Sequence, residues 1–252
     1  MKETKILLTG ANGVLGREFA RVLSRQFKLI LTDLSFKGFK QNFEGDSSNI
    51  IDLIEADLAE GDQRDYLADR ICNEHGVTCL INNAAYVGTS NLEGWAVDFP
   101  QVNYEIFSDV FELNVTAPFH LVQRLACRTN SELDCVINIS SIYASRGPDR
   151  LLYDGTIVKS PPAYCVSKAA LENLTVWLAC MLSPAIRVNA VAFGGVLRSQ
   201  PKQFVDAYSN KALLGRMAFP SDLSGIVEFL VSEKAGYITG EIFEVSGGFL
   251  KC

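Results

Sequence analysis

A tyrosine and a lysine four positions apart, Tyr164 and Lys168, are the side chains in this 252-residue chain best suited to proton transfer. Both lie in the segment Ala163–Leu182, where apolar residues recur at helical spacing, so the two side chains share one helix face. A nearby ammonium stabilises a phenolate and lowers the tyrosine pKa from its ordinary value of about 10. The pair therefore predicts a tyrosine that acts as a general acid or base.

A glycine-rich turn near the start of the chain is a candidate phosphate site. Gly10, Gly13 and Gly16 follow the apolar run Lys5–Thr9 and lead into the amphipathic segment Gly16–Gln26. Glycine tolerates a left-handed backbone and lets a pyrophosphate approach closely, and the free N–H groups at a helix start attract anions. A tight strand-to-helix turn also uses glycine for purely structural reasons, so the spacing alone leaves both interpretations open.

An acidic residue strengthens the dinucleotide interpretation. Asp33 follows the second apolar run and stands about twenty residues past the turn, where a dinucleotide fold places an acid on the ribose hydroxyls. A carboxylate there repels a 2′-phosphate, and no basic residue follows before Lys37, so NAD is favoured over NADP. A helix-capping or loop aspartate is the alternative.

Short apolar runs alternate with helical patterns along the whole chain, which predicts an α/β fold. The runs are nearly continuous in apolar residues, as expected for strands buried on both faces of a parallel sheet. No repeat or linker divides the chain, so we expect one doubly wound, Rossmann-type domain over residues 1–252 with a seven-stranded sheet. The seven predicted strands are Lys5–Thr9, Lys28–Thr32, Ile50–Ala56, Thr78–Ile81, Cys135–Ile139, Arg187–Ala192 and Ile242–Val245.

Composition narrows the classes of partner. A net charge of −6 without a run of lysine or arginine argues against a nucleic-acid partner. Apolar stretches such as Ile186–Gly195 are too short to span a bilayer, so we expect no membrane partner and a cytoplasmic location. The two histidines, His75 and His120, lack metal-ligand spacing, so we expect no metal.

The order of the motifs resembles the short-chain dehydrogenase/reductase family, in its single-domain branch. The resemblance covers nearly the whole chain and depends on the combination, since each motif alone is weak. It is carried, after the glycine turn, by Asn82-Asn83-Ala84-Ala85, Asn114, Ser141, Tyr164, Lys168, Arg187-Val188-Asn189-Ala190-Val191 and Val245-Ser246-Gly247-Gly248.

The resemblance implies hydride transfer between NAD(H) and an alcohol or ketone, with the protein orienting a cofactor that carries the chemistry. It implies that Tyr164 exchanges the proton, Ser141 hydrogen-bonds the substrate oxygen, Lys168 holds the nicotinamide ribose and Asn114 positions a relay water. It also implies a homodimer or homotetramer. The cofactor contacts that it implies are Gly10, Asn12, Gly13, Leu15, Gly16, Asp33, Asp57, Leu58, Asn83, Ala84, Ala85, Tyr164, Lys168, Gly194 and Val196.

Two other functions stay open at this point. The positions of Gly10, Gly13 and Gly16 also resemble the glycine turn of a sugar-nucleotide branch of the family, which suggests an epimerase or dehydratase that retains NAD. The same fold also serves non-catalytic nucleotide-sensing proteins. A looser resemblance, to oxidoreductases of flagellin and surface-sugar modification, involves segments 142–148, 159–162 and 198–201 and suggests a sugar-like substrate.

The segment before Tyr164 is unusually long. Tyr164 follows Ser141 by 23 positions, more than is usual in the family, and the excess predicts a loop beside the reacting carbon. The segment carries Arg146, Arg150, Tyr153 and Lys159. If it closes the substrate pocket, its cations are expected to meet an acidic or phosphorylated sugar, and arginine suits paired contacts with such a group. A solvated surface loop is the alternative.

Overall fold

All seven predicted strands are present and form one parallel sheet in a computed structural model, which describes residues 3–156 and 158–251. The sheet order is β3-β2-β1-β4-β5-β6-β7, a doubly wound arrangement. Since all strands are parallel, their carboxyl ends meet at one edge of the sheet. The strands are β1 (Lys5–Thr9), β2 (Lys28–Asp33), β3 (Ile50–Glu55), β4 (Cys79–Asn82), β5 (Cys135–Ser141), β6 (Arg187–Phe193) and β7 (Ile242–Val245).

Helices connect the strands and cover both faces of the sheet. They are α1 (Val14–Leu23), α2 (Phe39–Asn42), α3 (Gly61–Arg70), α4 (Ile106–Phe111), α5 (Ala117–Ala126), α6 (Arg150–Tyr153), α7 (Pro162–Leu182), α8 (Lys202–Lys211) and α9 (Pro220–Val231). Single π turns at Ile71–His75 and Glu112–Thr116 follow α3 and α4, and 3₁₀ turns form at Ser47–Asn49, Phe99–Gln101, Ile142–Ala144 and Glu233–Ala235.

The helical pattern predicted for Ile106–Arg128 is interrupted in the structure. A π turn, Glu112–Thr116, separates α4 from α5. Pro118, in the first turn of α5, has no N–H to donate to the carbonyl of Asn114 one turn earlier, so regular α-helical bonding cannot continue through this point. The π turn falls on Asn114, one of the predicted site residues, and π turns are frequent at functional sites.

Alternate residues of the strands pack on opposite faces of the sheet. In β1, Ile6 and Leu8 join one core with α1 and α9, whereas Leu7 joins a second core with α3 and α5. All three side chains are fully buried. Burial of each such side chain contributes on the order of 1.5–3 kcal/mol. The two-sided burial explains why the strands are nearly continuous in apolar residues.

A third apolar cluster fixes the long segment before Tyr164. Tyr153 of α6 packs against Phe204 of α8 with ring centroids 5.6 Å apart. Tyr208 of α8 stacks on Phe249 at 4.3 Å, and its hydroxyl accepts a hydrogen bond from the N–H of Gly195 at 2.6 Å. This segment, apart from Ile157, which lies outside the described residues, is therefore packed against α8 and the C-terminal residues and is not merely a solvated loop.

Helix α7 is long and apolar enough to cross a membrane by length and composition alone. It packs along β5 and β6, and Leu171, Leu178 and Ala179 are among its buried residues. Packing on the sheet accounts for one apolar side of the helix. A second apolar set is exposed and consists of Val166, Val176, Trp177 and Met181.

Candidate active site

A cavity of about 710 Å³ lies at the carboxyl edge of the sheet. The chain leaves β1 toward β2 on one side and later returns to place β4 on the other side, so a crevice opens between these strand ends. Open α/β sheets bind their ligands at such a switch point. Residues that follow β1, β2, β3, β4, β5 and β6 all line the cavity.

The glycine turn forms one wall of this cavity. Gly10 has a φ of +63°, and a Cβ there would lie 2.8 Å from the Cα of Ala84, so neither the conformation nor the space admits a larger residue. Gly13 caps α1, which begins at Val14. Gly10 and Gly13 line the cavity with Asn12 and Leu15, so the start of α1 faces it as the sequence predicts.

Gly16 was predicted to contact the cofactor, and the structure places it elsewhere. It does not line the cavity. A Cβ at Gly16 would lie 2.0 Å from the carbonyl oxygen of Gly10 and 2.7 Å from the Cα of Ala11. Gly16 therefore lets α1 pack directly on the turn, which is a structural role that glycine spacing alone does not distinguish from phosphate contact.

Two carboxylates lie at the end of the cavity formed by β2 and β3. Asp33 ends β2, and one of its oxygens accepts a hydrogen bond from the N–H of Asn12 at 2.8 Å. No lysine or arginine within residues 3–156 and 158–251 forms an ion pair with Asp33. Asp57 accepts a hydrogen bond from the N–H of Ala59 at 2.9 Å, and Leu58 lies beside it in the cavity wall.

The segment after β4 is tied to the glycine turn. The side-chain amide of Asn83 donates to the carbonyl oxygens of Thr9 at 3.0 Å and Gly10 at 2.9 Å. The N–H groups of Asn83 and Ala84 both donate to the Thr9 hydroxyl at 3.0 Å. These bonds hold Asn83, Ala84 and Ala85 against the cavity, where the sequence predicted them.

Ser141, Tyr164 and Lys168 meet at the opposite end of the cavity. Ser141 ends β5, and its hydroxyl accepts a hydrogen bond from the N–H of Tyr143 at 3.3 Å. Lys168 donates from Nζ to the carbonyl of Ile139 at 2.7 Å, and Nζ lies 6.0 Å from the centroid of the Tyr164 ring. The phenol, the hydroxyl and the ammonium thus surround one space, which suits proton transfer to or from an oxygen held there.

Burial dominates the titration of this group. It raises the pKa of Tyr164, although a hydrogen bond with Ser141 and the charge of Arg198 lower it. The lowering by Lys168 expected from sequence is not seen, because Nζ lies 6.0 Å from the ring and burial disfavours the phenolate. Burial also lowers the pKa of Lys168 to about 8, while the charge of Glu172 acts in the opposite direction.

Asn114 lies behind the cavity wall and does not line it. Its side-chain oxygen accepts from the N–H of Tyr86 at 2.8 Å. Its amide donates to the carbonyl of Tyr86 at 3.1 Å and to the Ser167 hydroxyl at 3.0 Å. The side chain therefore joins the segment after β4 to α7, and its hydrogen-bonding groups are directed at protein partners.

The long segment before Tyr164 contributes to the cavity with Tyr153 and Lys159, which the sequence indicated, but not with the two arginines. Arg146 and Arg150 are exposed and do not line the cavity. Tyr143 and Tyr153 do line it, and their hydroxyls are hydrogen-bonded to each other. Burial raises the pKa of both phenols. The expectation for the two arginines is wrong because the packing of α6 on α8 directs tyrosines, and not arginines, toward the site.

Two charged residues of the site were not predicted from the sequence: Arg198 in the cavity lining, and Glu172 outside it. Gly194 and Val196 were predicted, but Arg198, two positions further along the same turn after β6, was not considered for the cavity. Glu172 accepts from the Ser140 hydroxyl at 2.7 Å. It stands one helical turn beyond Lys168, and that four-residue spacing is a signal that sequence reasoning could have used.

Neither histidine approaches the cavity. His75 lies 3.0 Å from Asp52, and together with Glu74 the two offer possible ligand atoms within 4.8 Å of one another. Arg70 already places its guanidinium 2.7 Å from Asp52, so this cluster is organised as an ion-pair network.

Comparison with known proteins agrees with this geometry. The family model described as enoyl-(acyl carrier protein) reductase matches residues 10–250. The chain belongs to the short-chain dehydrogenase/reductase family. The uncharacterized oxidoreductase YmfI of Bacillus subtilis is 26% identical, and the match covers 96% of this chain and 97% of that protein. The post-translational flagellin modification protein A of Campylobacter coli is also 26% identical, and the match covers 99% of this chain and 99% of that protein.

Solved structures of this family share the fold. A short-chain dehydrogenase from Leptospira borgpetersenii, crystallised with bound NAD⁺, is 28% identical and superposes with a TM-score of 0.84 over 99% of this chain and 93% of that one. The chain is therefore a dehydrogenase/reductase with a Rossmann-type fold.

The lowered pKa of Lys168 predicts a pH effect on turnover. Because burial brings this pKa to about 8, the ammonium form is present below that pH and is lost as the pH rises through it. We expect kcat/KM for ketone reduction to fall above about pH 8. In Lys168→Arg the side chain stays charged, so this decline should disappear from the residual activity even if its overall level is lower. The same decline in both proteins would show that it does not arise from the titration of Lys168.

Proposed function

We propose that the protein transfers a hydride between NAD(H) and an alcohol or ketone, with Tyr164 as the general acid/base. The observation that carries this proposal is the convergence of Ser141, Tyr164 and Lys168 on one end of a cavity whose other end holds the glycine turn and Asp33. A dinucleotide laid along this cavity has its phosphates at the start of α1 and its reactive ring beside the phenol.

The cofactor, when bound, supplies the hydride, and the residues of the chain orient the substrate and move the proton. Tyr164 gives its proton to the carbonyl oxygen during reduction and takes it back during oxidation. Ser141 donates a hydrogen bond to the same oxygen. Lys168, held by the carbonyl of Ile139, contacts the nicotinamide ribose and keeps positive charge near the phenol.

Asn114 supports this chemistry from behind the wall. We propose that its contacts with Tyr86 and Ser167 fix α7 against the segment after β4, because its amide binds both elements. The relay water that the family resemblance implies for Asn114 stays a prediction.

NAD is the cofactor that we propose, in preference to NADP. Asp33 keeps one oxygen on the N–H of Asn12 and can accept a ribose hydroxyl on the other. The remaining proposed contacts follow the same cavity wall, with Asp57 and Leu58 at the adenine, Asn83 to Ala85 along the adenosine, and Gly194 and Val196 at the carboxamide.

A polar, sugar-like substrate is supported by the hydroxyl groups of Ser141, Tyr143 and Tyr153 at the reacting end. The similarity to a flagellin modification protein agrees with such a substrate. We further propose a cytoplasmic homodimer or homotetramer. The exposed apolar residues of α7, including Trp177 and Met181, supply a surface that a second copy can bury.

The proposed reaction predicts net consumption of cofactor. With NADH and a panel of polar aldehydes and ketones, absorbance at the reduced-nicotinamide band should fall as product forms, and NAD⁺ should appear free in solution. An enzyme that retains NAD through an epimerase or dehydratase cycle gives product without a net change in free cofactor. Product formation without a net change in free cofactor would contradict the proposal, as would NADH binding with no turnover across the panel.

Asp33 predicts a preference between cofactors. The unmutated protein should bind NADH more tightly than NADPH, because the carboxylate meets the 2′-phosphate as a like charge. Asp33→Ala should narrow the affinity ratio by roughly tenfold, equivalent to about 1.4 kcal/mol. Fluorescence titration measures both affinities, and Asp62→Ala, which removes an exposed acid on α3, is the control. Equal affinities in the unmutated protein would show that Asp33 does not select the cofactor.

A further inference from the structure

The charged residues that line the cavity are segregated. Both carboxylates, Asp33 and Asp57, lie at the adenosine end. The three cations, Lys159, Lys168 and Arg198, lie at the other end, where the described residues place no carboxylate in the lining. Glu172, which lies outside the lining, offsets part of the charge of Lys168. The lining itself carries only positive charge at this end, which favours a negatively charged ligand there.

The three cations differ in what already balances their charge. Lys168 belongs to the proposed catalytic group. Lys159 lies 2.7 Å from Asp98, so a carboxylate outside the cavity offsets its charge. Arg198 forms no ion pair with any residue in the described parts of the chain. Its guanidinium has a 3.5 Å contact with the Thr89 hydroxyl, which is at the outer limit of a hydrogen bond.

The backbone at Arg198 is held firmly although its side chain is exposed. Its N–H donates to the side-chain oxygen of Gln200 at 2.7 Å, and the amide of Gln200 donates back to the carbonyl of Val196 at 2.8 Å. The N–H of Leu197 donates to the carbonyl of Ala218 at 2.8 Å. Arg198 is thus presented from a fixed turn, which reduces the entropy lost when its guanidinium binds a ligand.

Arg198 also lies close to the reacting end of the cavity. Its charge is among the influences that lower the pKa of Tyr164, and its contact with Thr89 reaches from the turn after β6 to the segment after β4. Because Arg198 lines the same cavity as Tyr164 and Ser141, a substrate whose oxygen is held by those two residues can reach this guanidinium.

We propose that Arg198 binds a carboxylate or phosphate group of the substrate, so that the protein acts on an acidic hydroxy or keto compound. The inference rests on the proposed oxidoreductase function and adds the substrate class to it. A guanidinium offers paired N–H donors that match either oxyanion, and charge-assisted hydrogen bonds of this kind are the stronger ones. The start of α1 supplies a separate anion site for the cofactor phosphates, so Arg198 is available to the substrate.

The test uses matched probes that differ in charge. Aldonates such as gluconate are compared with the corresponding alditols such as sorbitol, and alditol phosphates form a third arm, all with NAD⁺. We expect kcat/KM to be higher for the acids or for the phosphates than for the neutral alditols. Preference for one acidic arm over the other identifies the oxyanion as carboxylate or phosphate.

Arg198→Gln should then reduce that preference by roughly tenfold or more while leaving the NADH dissociation constant unchanged. Arg198→Lys keeps the charge without the paired donors and should give an intermediate loss. Arg146→Gln removes an exposed cation that does not line the cavity, so it controls for net charge and should have no effect.

Three results would overturn the inference. Turnover of neutral alditols without preference for the charged probes leaves the oxidoreductase function standing and removes the acidic substrate. A preference that Arg198→Gln does not alter assigns recognition to other residues. Weaker NADH binding in Arg198→Gln, with the substrate preference intact, assigns the guanidinium to the cofactor. Absence of turnover for every probe and for the carbonyl panel contradicts the proposed function itself.

Discussion

The hydrogen bond from Lys168 to the carbonyl of Ile139 joins α7 to β5 near the centre of the sheet. Ile139 lies two residues before Ser141 on β5, so this bond sets the height of α7 against the strand that delivers the serine. Tyr164, one turn before Lys168, then comes to lie opposite Ser141. The ammonium of Lys168 is buried in this arrangement, and burial lowers its pKa because it disfavours the charged form.

The parallel sheet makes this arrangement possible. Because the five inner strands, β2, β1, β4, β5 and β6, are buried on both faces, they are held rigidly, and residues directly after their ends are fixed with them. Asp33 and Ser141 end their strands, and Gly10 and Asn83 follow theirs. The rest of the cavity wall includes α6, α8 and the turn after β6, which share the apolar cluster around Tyr153 and Phe204. Scaffold and substrate wall are thus built from different segments.

The strands were predictable because unbroken apolar runs leave little choice of structure. β1 and β7 match their predicted bounds. β5 extends two residues beyond its predicted end, because the polar residues Ser140 and Ser141 suggested a loop in the sequence. The proximity of Tyr164 and Lys168 was predictable from their spacing within one helix, and the place of Asp33 was predictable from its position at the end of β2 after the glycine turn. Gly16 was not, since phosphate contact and close helix packing require the same residue.

Features that depend on docking between distant segments could not be predicted from sequence. Arg146 and Arg150 stand in the right segment, but the packing of α6 on α8 decides which side chains of that segment face the cavity. The turn that carries Arg198 is held to a distant segment by the hydrogen bond from the N–H of Leu197 to the carbonyl of Ala218, and this contact has no local signature in the sequence.

Replacing Tyr164 with phenylalanine tests the proposed mechanism most directly, because it removes the transferable proton and keeps the ring. The kcat of Tyr164→Phe should fall by about 10²–10⁴-fold, the usual contribution of a placed acid or base. The NADH dissociation constant and the melting temperature should stay close to those of the unmutated protein, as should all three quantities in Tyr104→Phe, which alters an exposed tyrosine. A Tyr164→Phe protein that retains near-normal kcat would contradict the role of this phenol as the acid/base.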